Sequence, residues 1–162
     1  MRLLMRANAH RPVPEGVGPS GVEVASSPDT PGRPERWLWH IRLLGGAPAP
    51  SEGTVALDLG QGRTLEVTVN TQAVRADVQL IDVTDNRLLD RDERELVALV
   101  ASESAAVIEG RHVLQPFDTL VLEGDDPLSV SVGPANGRAS VAVVRLASVS
   151  EGPGLQSVNW VP

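Results

Sequence analysis

Between Glu95 and Ala147 the apolar residues fall in short runs, each too brief for a helix and each closed by turn-forming residues. The runs are Glu95 to Ser102, Ser104 to Glu109, His112 to Gln115, Thr119 to Glu123, Leu128 to Val132 and Ala139 to Leu146. Several alternate apolar with polar positions, as in Leu128-Ser129-Val130-Ser131-Val132, which predicts strands with one buried face. Glu109-Gly110, Pro116-Phe117-Asp118, Gly124-Asp125-Asp126-Pro127 and Pro134-Ala135-Asn136-Gly137 punctuate them, and Asn136-Gly137 suits a two-residue type I′ hairpin. Strands repeating at about ten-residue spacing with such turns predict a sandwich or barrel, not alternating βα units.

Upstream, the alternation in Trp37 to Leu44 predicts a strand with Trp37, Trp39, Ile41 and Leu43 on one face and Leu38, His40, Arg42 and Leu44 on the other. Thr54 to Leu59 and Thr64 to Val69 flank Gly60-Gln61-Gly62 as a hairpin, and Ala73 to Val83 forms a long strand with room for a bulge. The mixed charges from Asp82 to Glu95 predict a solvated loop with at most one helical turn. The first thirty-six residues, rich in Pro and Gly, predict loop with one short strand at Val22 to Ala25. The expected organisation is one β domain over 1–149, which includes that Pro/Gly-rich amino-terminal segment, and a flexible carboxy-terminal arm over 150–162 carrying Trp160.

Composition narrows the chemistry. The chain has no Cys, no Tyr and no Lys, and all 14 of its basic residues are Arg, so thiol nucleophiles, Schiff bases and tyrosyl acids are excluded. Acid–base or metal work is left to His10, His40, His112 and the carboxylates. The net charge of −7 offers no electrostatic footprint for nucleic acid or an anionic membrane. No apolar run approaches the ~20 residues of a spanning helix, and Met1 to Arg6 is shorter than the roughly 7–15 apolar residues of a secretory signal, which sets a cytoplasmic expectation. The glycines at 16, 18 and 21 do not make a phosphate loop, since Pro19 interrupts them and no Lys follows.

Gln115-Pro116-Phe117-Asp118 leading into Thr119-Leu120-Val121-Leu122-Glu123 resembles the cupin hairpin, in which a Pro-Gly-Asp turn opens an apolar strand. Three further segments are similar to the HutD/Ves family of cupin-like proteins and follow that family's order. Val13-Pro14 through Val22-Glu23-Val24-Ala25 resembles a Val-Pro-Trp and Asn-Gly-Gly-Gly stretch leading to a strand with Glu. Trp37-Leu38-Trp39-His40-Ile41-Arg42-Leu43 resembles a Trp-x-Trp-Arg-x-Ser-Leu strand, and Leu80-Ile81-Asp82 through Asp85-Asn86-Arg87-Leu88-Leu89 resembles a Leu-Leu-Asp segment followed by Val-Arg-Asp-Leu-Asn-Leu-Met. The family's Trp and Asn before the glycines are missing, Asn86 is one place out, and residues 45–72 have no counterpart to its Phe-Ser and Phe-Pro-Gly segments. The resemblance implies an all-β, cupin-like double-stranded β-helix barrel, bicupin-like within one chain, and a link to histidine utilisation or stress.

Catalytic cupins hold their metal with two His spaced two apart, a later Glu and a further His, a pattern this chain lacks, so no metal and no cofactor are expected. The candidate ligand-binding residues are Glu23, Trp39, His40, Arg42, Asp85 and Asn86. Arg42 can hold a carboxylate through parallel hydrogen bonds beside the apolar wall of Trp39. The plain alternatives are that the tryptophans are core, that His40 and Arg42 face water, that Glu23 pairs with Arg42, and that Asp85-Asn86 is a simple turn. The leading expectation is a non-catalytic protein that binds a small polar or acidic metabolite, as a monomer or a homodimer. A metal-independent isomerase or hydrolase using His40 or His112, and a structural interaction module, are the other two readings.

Overall fold

The computed structural model describes residues 2–5, 22–27, 38–46, 51–150 and 155, with β1 and β2 described by their backbone. Among them are thirteen strands and no helix: β1 (Arg2–Met5), β2 (Val22–Ser26), β3 (Trp39–Leu44), β4 (Thr54–Gly60), β5 (Arg63–Val69), β6 (Val74–Val83), β7 (Arg87–Asp90), β8 (Leu96–Ala101), β9 (Ala106–Ile108), β10 (His112–Leu114), β11 (Thr119–Leu122), β12 (Ser129–Pro134) and β13 (Ala139–Ser148). They form three antiparallel sheets, a central one in the order β1-β11-β8-β13-β6 and two flanking ones, β2-β3-β5-β4 and β10-β9-β12-β7.

The middle strands of the central sheet are buried on both faces, and β8 shows why. Its sequence Leu-Val-Ala-Leu-Val-Ala has no polar position, as expected of a strand with no solvent side. Leu96, Ala98 and Val100 point into one core with Trp39, Ile41, Leu65 and Val67 of the β2-β3-β5-β4 sheet. Val97, Leu99 and Ala101 point the opposite way, into a second core with Ile108, Leu114, Val130 and Val132. β13 divides its side chains likewise, Ala142, Val144 and Leu146 against Val141 and Val143. β6 changes sides along its length: Val74 serves the first core and Val83 the second. The all-β expectation holds, with two cores in one chain sharing the middle sheet. Among the described residues the sheets stack without closing a barrel.

Local chemistry sets the turns. At the β4–β5 hairpin Gly60 pairs with Arg63 around Gln61 (φ 52°) and Gly62 (φ 72°), the two positive φ angles that a type I′ turn requires. Phe117 takes φ 70° where a Pro-Gly-Asp turn has glycine, and is held there by two hydrogen bonds across the turn. Asp118 N donates to Gln115 O at 2.9 Å, and Gln115 N donates to Asp118 Oδ2 at 3.0 Å. The ring closes the first core, with the Arg63 guanidinium 5.9 Å from its centroid.

Three expectations are corrected. Asn136-Gly137 does not close a hairpin, because β12 pairs with β7 and β9 while β13 pairs with β6 and β8; the chain passes there from one sheet to another, and only Gly137 has positive φ. The charged run is not all solvated loop. Arg87–Asp90 is strand β7, with Leu89 in the second core. Buried Arg91 then donates to the carbonyls of Asp92, Glu95, Gly124, Asp126 and Pro127, tying two loops together. The third correction is β1, read from sequence as loop and found at the edge of the central sheet, with Arg2 opposite Val121. Of the carboxy-terminal arm, Ser150 and Leu155 are described, and Leu155 packs against the first core. Trp160, Trp37 and His10 lie outside the described residues.

Candidate functional site

β3 sits between β2 and β5, and its alternation sends Trp39, Ile41 and Leu43 into the first core. Trp39, only 1% exposed, is therefore a packing residue. The opposite face carries the polar groups. Arg42 stands opposite Glu66 of β5 and opposite Glu23 of β2, whose side chain lies outside the described residues. His40, half-buried, stands opposite Thr68, and Thr68 opposite Thr54. Hydroxyls continue this row: Thr54 Oγ1 lies 3.0 Å from Thr68 Oγ1 and 2.6 Å from Ser51 Oγ.

Arg42 is already engaged. Its Nε and Nη2 donate to the same oxygen, Glu66 Oε1, at 2.9 and 2.7 Å. The Glu66 side chain is 7% exposed and that of Arg42 34%, so the carboxylate is the buried member and the guanidinium reaches outward. The Nε/Nη2 edge is thus taken by the protein's own acid, and an incoming group meets the opposite end, where Nη1 has no partner among the described residues and Nη2 keeps its second N–H. Sequence reading missed Glu66. Its signal is a lone carboxylate in the middle of the otherwise apolar and threonine strand Thr64-Leu65-Glu66-Val67-Thr68-Val69.

Asp85 and Asn86 lie elsewhere, in the connection from β6 to β7 beside the second core. Asp85 is exposed. Asn86 packs its Oδ1 over Gly133 of β12, where a Cβ would collide with it, so the missing side chain there leaves the room that Asn86 occupies. The six candidates therefore divide: Glu23, Trp39, His40 and Arg42 share the β2–β3 pair, and Asp85 and Asn86 belong to another part of the fold.

At the β8–β9 turn a depression of about 310 Å³ is lined by Glu103, Ser104, Arg138, Ala139 and Ser140. Arg138 Nη2 lies 2.7 Å from Asp82 Oδ2, and Ser140 Oγ donates to Asp82 Oδ1 at 2.6 Å. The Ser140 hydroxyl first and the Arg138 guanidinium second hold the Asp82 carboxyl below the usual aspartate range. No group of three or more His, Asp or Glu among the described residues is placed to hold a metal ion, and His112 is exposed on the short edge strand β10. No helix among them is long and apolar enough to cross a membrane.

No protein-family model and no curated protein match the chain. Solved structures share its fold, two of them as follows. A conserved protein of unknown function from Pseudomonas aeruginosa superposes with a TM-score of 0.59 at 20% identity, over 92% of this chain and 99% of that one. HutD from Pseudomonas fluorescens superposes with a TM-score of 0.55 at 15% identity, over 90% and 97% of the two chains. The resemblance read from the sequence is matched at the level of the fold.

Proposed function

We propose, from the fold shared with HutD and from the polar face of β3, that this chain is a non-catalytic cupin-like protein that binds a small polar metabolite over His40 and Arg42, in a role related to histidine utilisation. The observation that carries the reading is the Arg42–Glu66 pair, in which a buried carboxylate fixes a guanidinium whose side chain stays partly exposed on the strand face it shares with His40. A side chain locked in this way loses little rotamer entropy when a ligand arrives. Because Glu66 neutralises Arg42, the pair draws an anion less strongly than a free Arg would. An acidic group accordingly binds at the Nη1 end of the guanidinium, and His40 and the Thr68 row supply the remaining polar contacts.

Thermal-shift screening with amino-acid derivatives, acylated amino acids and divalent metals tests this. A ligand at one hundred times its dissociation constant adds about 2.7 kcal/mol of stability, and Arg42→Ala should abolish that gain. A gain that survives Arg42→Ala, or one that needs a divalent metal and vanishes with chelator, would overturn the reading.

A further inference from the structure

The depression at the β8–β9 turn has no part in the β3 face, and its lining is oddly specific for a surface feature: one acid, one base and two hydroxyls border the same small space. We propose that it is a binding site for the dipolar head of a free α-amino acid, with the ammonium on Glu103 and the carboxylate on Arg138.

Glu103 is placed by its surroundings. The preceding residue is locked, since Ser102 N donates to Ser140 O at 2.9 Å and Ser102 Oγ donates to Leu59 O. The Glu103 side chain then crosses Gly60 at the root of the β4–β5 hairpin, where any Cβ would run into it. No described residue donates a hydrogen bond to the Glu103 carboxylate, so its oxygens are available to a ligand. Arg138 is oriented by a single bond from Nη2 to Asp82, which leaves the N–H groups of Nε and Nη1 to donate. The Ser140 hydroxyl and the Arg138 guanidinium hold the Asp82 carboxyl below the usual aspartate range, so it is charged at neutral pH and keeps hold of Arg138. The hydroxyl of Ser104, exposed at the rim, adds a donor or acceptor.

Selectivity follows from the pairing of signs. A simple anion meets the repulsion of Glu103 and gains less from Arg138, which Asp82 already pairs, while a simple cation binds Glu103 but leaves the free N–H groups of Arg138 unused. A ligand carrying both charges a few ångströms apart satisfies both walls. The volume, at the lower end of the ~300–1,000 Å³ of small-molecule sites, suits a ligand with few heavy atoms.

The test is a backbone-amide NMR titration of the full chain with L-alanine, and with propionate and ethylamine as the two half-charged controls, each to about 50 mM because so small a ligand binds in the millimolar range. L-Alanine should shift the amides of Ser104, Ala139 and Ser140 with saturation, and each control should bind at least about tenfold more weakly. Glu103→Gln and Arg138→Gln should each remove the L-alanine response. The proposal is overturned if L-alanine shifts none of these amides, if propionate or ethylamine binds as well, or if the response persists in Glu103→Gln.

Discussion

Removing one member of the Arg42–Glu66 pair should have unequal consequences, because the two side chains are unequally buried. Arg42→Ala leaves Glu66, 7% exposed and opposite Arg42 in the middle of β5, without the only cation bonded to it among the described residues. Stranding a buried charge in this way costs roughly 3–5 kcal/mol. Glu66→Ala leaves Arg42, whose side chain is 34% exposed and can turn to water, so the loss should be about 1 kcal/mol, near that of a screened surface pair. Replacing both with leucine removes the charges and their desolvation together, and should be within about 1–2 kcal/mol of the natural protein in either direction. The assay is urea unfolding at pH 7, read as midpoint times slope for the natural chain, both single variants and the double. For a domain of this size the Arg42→Ala loss is a large part of the roughly 5–15 kcal/mol available, so the midpoint shift is easily resolved. Equal losses for the two single variants would refute the argument, since they would mean that the two groups pay the same desolvation.

Arg91→Ala should cost about 2–4 kcal/mol in the same assay, because five carbonyls from two loops lose a charged donor together, and Arg91→Lys should restore less than half of that, an ammonium having three N–H groups in a compact head. Gly60→Ala should destabilise by at least about 1–2 kcal/mol, since φ 84° is costly for any L side chain and Glu103 must also move. Gly62→Asn, at φ 72° with open space around it, should stay within about 0.5 kcal/mol. The Asp82 carboxyl, followed by carbon-detected NMR, should titrate below an ordinary aspartate and move upward in Arg138→Ala. With its folded-state pKa lowered, its contribution to stability is present above the unfolded-state pKa and is lost as pH falls through the folded value. A midpoint unmoved by Arg138→Ala would show that the ion pair does not form in solution.

What could be read from the residues alone is what depends on period and turn chemistry. The Leu96 to Ala101 run is legible as a strand, the Trp39-Ile41-Leu43 alternation marks a buried side, and Gly60-Gln61-Gly62 closes a hairpin, because strand sidedness and positive φ are properties of a few consecutive residues. The β3 face was legible for the same reason, with His40 and Arg42 following from the two-residue period.

Partners distant in the chain were decided only by folding. Glu66 meets Arg42 across twenty-four positions because β3 and β5 pair in that register, and Arg138 meets Asp82 across fifty-six because β6 and β13 pair at their ends. The same dependence on sheet order turned Asn136-Gly137 from a hairpin into a crossing between sheets and drew Arg91 out of a charged run into the interior. Period determines which way a side chain points. What it points at is set by which strands lie together, and that is settled by burying both faces of the central sheet at once, a condition no local stretch of sequence contains.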